Sequence, residues 1–208
     1  MAVAELIWQK GDVEVFLGDL AVASTELESL GLLLSESESL EAACYSSLEA
    51  RRRFIVRRAL LRELLSRRLN CCPQDVTFER GKHGKPHLVG RELEFNVSSR
   101  EDVCLLAFSK RDFLGVDVEA IDENFDYQPL FKDHFNASEI PKNSEDFFQA
   151  WTRKEACAKA VGVGLSVNLS NFIVSADNVQ DALSVFSLSL PRGYSGAIAI
   201  YEGITSET

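Results

Sequence analysis

The chain has 208 residues, 46% of them hydrophobic and 26% charged, which is enough to bury a globular core. A formal net charge of −10 argues against a general nucleic-acid or membrane-surface binder. No run approaches the roughly 20 apolar residues of a membrane span, and no signal peptide is read at the start.

The charge is unevenly spread. Residues 26–49 are acidic, whereas Arg51, Arg52, Arg53, Arg57, Arg58, Arg62, Arg67 and Arg68 crowd the next stretch, so local basic pockets are open to an acidic protein. The cysteines (Cys44, Cys71, Cys72, Cys104 and Cys157) are odd in number, lack a Cys-x-x-Cys, and have no metal-ligand spacing to His83, His87 or His134. Cys104 and Cys157 lie in apolar segments and are expected as buried free thiols in a reducing, cytoplasmic compartment.

Along the chain, residues 13–17 alternate as a strand. Ser35 opens Ser-Glu-Ser-Glu, a helix start with acid at the positive end of the dipole, and predicts a helix over 38–48. A long helix over 51–69 has an apolar face through Phe54, Ala59, Leu60, Leu61, Leu64 and Leu65. Short strands are expected at 76–79 and 93–97, around a glycine-rich loop at 81–86. Residues 103–109 and 115–119 read as strands joined by a polar turn, expected as antiparallel neighbours. A helix over 147–161 stops at Gly162-Val-Gly164, and strands near 172–175, 183–190 and 197–201 complete the pattern. The layout is mixed α+β. Its second half echoes the first without a sequence repeat, with a site expected between the halves.

Gly115-Val-Asp117-Val-Glu119 is the first chemical signal. Alternation turns Asp117 and Glu119 to one face and Val116 and Val118 to the core. Two carboxylates about 7 Å apart along one face repel unless a cation lies between them, and magnesium is the common hard partner of phosphate substrates. Taken alone, a solvated acidic face is the plainer explanation. The second signal is Trp151-Thr-Arg-Lys154-Glu155-Ala-Cys-Ala-Lys159, which puts Trp151, Glu155 and Lys159 on one helical face. A surface ion pair of Glu155 with Lys159 is the bland alternative. Against it, the helix is strongly apolar, and Glu155 offers the third carboxylate that a magnesium site still lacks.

Together the two segments resemble the Sfp-type 4′-phosphopantetheinyl transferases, which carry a Gly-hydrophobic-Asp-hydrophobic-Glu strand and a Trp-x-x-Lys-Glu-Ala-x-x-Lys helix followed by Gly-x-Gly-Leu-Ser. Here the last is Gly162-Val-Gly164-Leu-Ser166. Gly84-Lys85-Pro86, Phe95-Asn96-Val-Ser98 and the arginine helix from Arg51 through Arg62 resemble further family segments, in order, as does the opening strand from Val13.

The resemblance implies two similar α/β subdomains in a pseudo-twofold arrangement, 1–112 and 113–208, with coenzyme A at their junction. It implies magnesium on Asp117, Glu119 and Glu155, and Lys159 on the diphosphate. Lys85, Pro86 and Ser98 would line the nucleotide pocket, and Arg53 would face the phosphates of the adenosine portion. Glu155 would deprotonate a carrier-protein serine, directly or through water, with release of 3′,5′-ADP. The chain departs from the pattern at Ser99, where the family has a histidine touching the 3′-phosphate. Ser99 can donate a hydrogen bond but carries no charge, so weaker discrimination against coenzyme A lacking that phosphate is expected. Arg100 is adjacent but would point to the other face. Carrier proteins of the family are usually acidic, so docking needs a local patch. The Lys110-Arg111 turn and the aromatic segment 125–135 are candidates, with burial in the core as the alternative for the aromatics. A monomer without nucleic-acid or membrane partners is expected. A non-catalytic relative that binds coenzyme A or a carrier is the rival reading.

Overall fold

The computed structural model describes residues 3–81, 84–90, 92–162, 168–180 and 182–202. Strands β1 (Ala4–Lys10) and β2 (Val13–Asp19) form a hairpin about Gly11, whose φ of 61° suits a residue without Cβ. Helices α1 (Ser24–Gly31), α2 (Glu36–Ala43) and α3 (Leu48–Leu69) follow. Ser35 does cap α2, in a reciprocal box with Glu38, but α2 ends at Ala43 rather than running on to 48.

A short hairpin, β3 (Phe78–Arg80) and β4 (Pro86–Leu88), precedes β5 (Glu94–Arg100), β6 (Val103–Ser109) and β7 (Phe113–Ala120). The remainder is α4 (Gln128–His134), α5 (Ser144–Val161), β8 (Asn178–Gln180), β9 (Leu183–Ser187) and β10 (Tyr194–Tyr201). Helix α5 stops at Gly162 in the left-handed region, φ 74°, as expected; residues 163–167, including the rest of the Gly-x-Gly-Leu-Ser match, lie outside the described residues.

The strands form two four-stranded antiparallel sheets, β1-β2-β6-β5 and β7-β10-β9-β8. Here the structure corrects the expectation for β6 and β7. They follow one another, but β6 pairs with β2 and β5 whereas β7 pairs with β10. The cause is visible in their composition. β6 is buried at every position and β7 at Leu114–Val118, so each needs cover on both faces. The chain meets that need by stepping to a second layer after Ser109. Val13, Val15, Leu105 and Ala107 of the first sheet then pack against Leu114, Val116, Val118 and Ile198 of the second.

Each sheet has a helix on its outer face. Val56, Ala59, Leu60 and Leu64 of α3 join Leu106 and Phe108 in one core; Ala156, Cys157 and Ala160 of α5 join Val185, Ala197 and Ala199 in another. Cys104 and Cys157 are buried free thiols whose pKa burial pushes up to about 12, which keeps them unreactive.

The strand expected near 172–175 does not form. Instead the carbonyls of Phe172 and Val174 turn to α5 and accept from Lys154 Nζ and Arg153 Nε, leaving no ladder. The strand expected at 76–79 shrinks to Phe78–Arg80, because a 3-10 turn over Pro73–Asp75 feeds Val76 into the core.

Candidate active site

The site forms where β5, the edge of one sheet, runs beside β7, the edge of the other. Alternation along β5 divides its side chains. Phe95 and Val97 face α3, whereas Asn96, Ser98 and Arg100 reach across to β7. Buried Asn96 accepts from Val116 N at 2.8 Å, Ser98 Oγ donates to Asp117 Oδ1 at 3.1 Å, and Arg100 Nε lies 3.3 Å from Glu119 Oε2. These three contacts stitch the sheets together by side chains where no backbone ladder exists.

Gly115 sets the distance from β7 to α5. A Cβ there would lie 2.0 Å from Ala156 O and 2.4 Å from Ala160 N, so only glycine allows this approach. The approach brings Lys159 onto the strand. Its Nζ lies 2.6 Å from Asp117 Oδ1, 3.2 Å from Ser98 Oγ and 3.1 Å from Val116 O. Lys159 therefore pairs with Asp117 rather than with Glu155 four residues back.

Asp117 is 5% exposed, and its Oδ2 is buried with no hydrogen-bond partner among the described residues. Glu155 and Glu119 are half-buried neighbours. Burial, then the negative charge of Asp117, pushes both carboxyl groups above their ordinary range. Glu119 adds to the effect on Glu155, and Lys159 opposes it on both. The three carboxylates thus share one electrostatic neighbourhood. Among the described residues no group of three His, Cys, Asp or Glu is set closely enough to ligate one ion in this conformation. The donor chemistry nonetheless fits a hard divalent cation. All the donors are oxygens, and one of them is a buried carboxylate atom lacking a hydrogen-bond donor.

Beside this cluster opens a cavity of about 580 Å³, walled by Arg57, Arg58, Phe78, Pro86, Ser98 and Ser99 among others. Ser98 belongs to both the cavity and the carboxylate cluster. Of the residues singled out in the sequence, Pro86, Ser98 and Ser99 line this cavity, and Asp117, Glu119, Glu155 and Lys159 gather at its side. Lys85 and Arg53 are placed otherwise. Lys85 Nζ is turned to backbone carbonyls, Leu114 O at 2.8 Å and Lys159 O at 3.2 Å. Burial is the main cause lowering its pKa, with Lys159 adding to it and Glu94 opposing. Arg53 binds Asp102 Oδ1 at 2.9 Å and Glu49 Oε1 at 2.6 Å, outside the cavity wall.

Sequence reasoning missed Arg57, whose Nη1 donates to Ser99 Oγ at 2.8 Å. Its signal was available: it lies one helical turn beyond Arg53, on the same side of α3. Arg100, weighed as a stand-in for the missing histidine, is committed to Glu119.

The two docking candidates also find their places. The Lys110-Arg111 turn is exposed but sits at the far end of β7, about 20 Å along the strand from Asp117. Tyr127 stacks with Phe147 and Phe135 with Trp151; of the aromatic segment Phe135 is buried, Tyr127, Leu130 and Phe131 pack half-buried against the same cluster, and Phe125 remains 37% exposed.

Fold and site together define an α+β protein of two helix-backed antiparallel sheets, with an acidic, lysine-flanked cluster at their seam. Comparison with known proteins carries this further. Residues 113–195 match the model of the 4′-phosphopantetheinyl transferase superfamily, and residues 22–111 match that of the 4′-phosphopantetheinyl transferase N-terminal region. The Synechocystis protein slr0495 is 36% identical over 152 residues, which is 68% of this chain. The 4′-phosphopantetheinyl transferase AcpT of Salmonella typhi is 33% identical over 139 residues, 62% of this chain. The 4′-phosphopantetheinyl transferase Sfp of Bacillus subtilis is 24% identical over 185 residues, 85% of this chain. The matches span 62%, 68% and 80% of those relatives' own lengths, in that order. The chain belongs to the 4′-phosphopantetheinyl transferase superfamily.

Proposed function

We propose that this chain transfers the 4′-phosphopantetheine group of coenzyme A to a serine of an acyl or peptidyl carrier protein. The observation that carries the reading is the contact of Lys159 with Asp117 and Ser98, with Glu119 and Glu155 alongside, at the flank of a nucleotide-sized cavity. The serine oxygen attacks the β-phosphorus of the diphosphate, the bond to 3′,5′-ADP breaks, and the serine proton passes to Glu155 directly or through water. Lys159 supplies positive charge to the diphosphate as charge shifts to the leaving group. Ser98 holds Asp117 and Lys159 in register. Asp117, Glu119 and Glu155 would hold Mg²⁺, which when bound supplies charge neutralisation on the diphosphate oxygens.

The remaining parts of the reading have their own supports. Subdomains 1–112 and 113–208 are taken as the two halves flanking the coenzyme A cleft, because sheet membership changes between Ser109 and Phe113. A cytoplasmic place fits the free cysteines. No helix among the described residues is long and apolar enough to cross a membrane. The net charge of −10 speaks for a protein without nucleic-acid partners, and a monomer is the simplest form of a two-subdomain cleft.

The test is incubation with labelled coenzyme A, Mg²⁺ and a panel of carrier proteins. Metal-dependent label on a carrier serine is expected, and Glu155→Gln should reduce it by about 10²–10⁴-fold with the melting temperature unchanged. Binding of coenzyme A without transfer to any carrier would favour the non-catalytic reading instead.

A further inference from the structure

Helix α3 carries eight arginines between Leu48 and Leu69, and most are already neutralised. Arg52 and Arg53 share Asp102, Arg58 and Arg62 share Glu38, Arg67 meets Glu63, and Arg68 meets Glu14. Arg57 differs. It is half-buried, it walls the cavity, and among the described residues its one hydrogen-bond partner is the neutral hydroxyl of Ser99. No carboxylate among the described residues pairs with it. A half-buried guanidinium without a counter-charge is an unfavourable state that an anion relieves, and the planar fork of N–H groups suits phosphate.

The geometry says which anion. Ser98 and Ser99 are consecutive on β5 and face opposite ways. Ser98 meets Asp117 and Lys159, the place proposed for the diphosphate; Ser99 meets Arg57, on the α3 wall of the same cavity. Coenzyme A carries one further anionic centre, the phosphomonoester on its ribose. We infer that Arg57 binds this ribose phosphomonoester, and that Ser99 is a positioning residue that holds the guanidinium with one of its N–H groups and leaves the others for the phosphate. The inference rests on coenzyme A being the ligand. It also reverses what Ser99 alone suggests: the cation missing from the strand is supplied by the helix, so discrimination for the intact phosphate is retained. Arg80 is another cavity cation without a carboxylate partner among the described residues, but it is exposed on β3 and bonds only Gly84 O, at 3.4 Å, so water screens it.

The experiment compares wild type, Arg57→Gln, Arg57→Lys, Ser99→Ala and Arg80→Gln. It measures kcat and KM with coenzyme A and with 3′-dephospho-coenzyme A, and, by calorimetry without any carrier, the Kd of 3′,5′-ADP and of 5′-AMP. Wild type should favour the 3′-phosphorylated member of each pair by about 10–100-fold, the range of charge-assisted hydrogen bonds. Arg57→Gln should erase most of that preference while moving the dephospho ligands less than about threefold. Arg57→Lys should recover part of it. Ser99→Ala should raise KM for coenzyme A with kcat unchanged, and Arg80→Gln should leave the preference intact. Absence of any wild-type preference, or an equal loss on both members of a pair in Arg57→Gln, overturns the inference. If wild type transfers from neither substrate yet binds 3′,5′-ADP over 5′-AMP through Arg57, the inference stands and the transfer reading falls.

Discussion

Helices α3 and α5 do the same architectural job with opposite use of charge. Each lies across the outer face of a four-stranded sheet and closes a core with small and aliphatic side chains. α3 spends most of its arginines on acidic partners around its circumference, and of the three that wall the cavity beside Ser98, Arg57 is the one without a carboxylate partner among the described residues. α5 buries two of its cations completely enough that they become scaffold. Arg153 binds the carbonyls of Val174 and Ala176, and Lys154 binds Glu139, Leu169 O and Phe172 O. Lys159, in the last turn of α5, is the one that turns to the carboxylate cluster. Counting charges along either helix would therefore mislead. Lys154 and Lys159 each have three acceptors, and what separates scaffold from site on α5 is access: the Lys154 side chain is 0% exposed, whereas that of Lys159 is 30% exposed beside the carboxylate cluster.

The sharpest way to break that comparison is to remove Lys154, which stands in the same helical motif as Glu155 but is 0% exposed. Its partner Glu139 has a 4% exposed side chain. Lys154→Met takes the cation from that carboxylate, which keeps only the backbone donors Asn136 N and Val174 N, and takes the ammonium from Phe172 O and Leu169 O. Stability should therefore fall by about 3–5 kcal/mol, the usual effect of breaking a buried pair. Glu139→Gln in the same chain should restore part of the loss, because the uncompensated charge goes with it. Thermal or urea unfolding of the two variants measures both numbers. Lys159→Met also takes the cation from a buried carboxylate, Asp117, so some stability should go with it; what sets it apart is loss of transfer by protein that is still folded. If Lys154→Met unfolds like wild type, the division of α5 into scaffold and site is wrong.

Much of this division was legible in the sequence, and some was not. Alternation alone turned Asp117 and Glu119 to one face, and helical spacing put Lys159 on the side of Glu155; local periodicity decides both. The layering of β6 and β7 was hidden because a strand apolar on both faces does not name its partner. β1 was missed for a related reason: its register shifts between Leu6 and Trp8, which breaks the alternation that marks a strand. Arg53 and Arg57 lie one turn apart on the same side, so periodicity treats them as equals. Asp102, far away in the chain, decides that Arg53 is occupied and Arg57 is not. Likewise the loop holding Lys85 was legible, but its turn toward Leu114 O and Lys159 O depends on where β7 and α5 meet.

That meeting point gives the next test. Gly115→Ala places a methyl group within contact of Ala156 O and Ala160 N, both backbone atoms that cannot rotate away. The helix has to lift, at about 1–3 kcal/mol or more, and Lys159 withdraws from Asp117. Activity should fall further than stability explains. Gly18→Ala is the matched control on the other sheet, since there the closest atom is a Leu60 side-chain methyl, 2.6 Å away, which can shift to another rotamer. A Gly18→Ala protein as inactive as Gly115→Ala would show that the close approach on α5 has no special bearing on the site.

The smallest expected effect lies at the mouth of α3. Asp102 accepts from Arg52 at 2.7 Å and from Arg53 at 2.9 Å, and the hydrogen bond from Arg53 is the main cause holding its carboxyl below the ordinary range. A carboxylate whose pKa is lower folded than unfolded contributes stability above its unfolded pKa, near 4, and loses it as pH falls through the folded value. Asp102→Asn should therefore lower the melting temperature at pH 7 but not once both forms of the aspartate are protonated, well below pH 4. The side chain is 36% exposed, so water screens the pair and the difference should be about 1 kcal/mol or less. Added salt should shrink it further. A difference that persists undiminished in acid would mean that Asp102 acts through packing rather than charge. The neutralised end of α3 would then be scaffold of the same kind as Arg153 and Lys154 on α5.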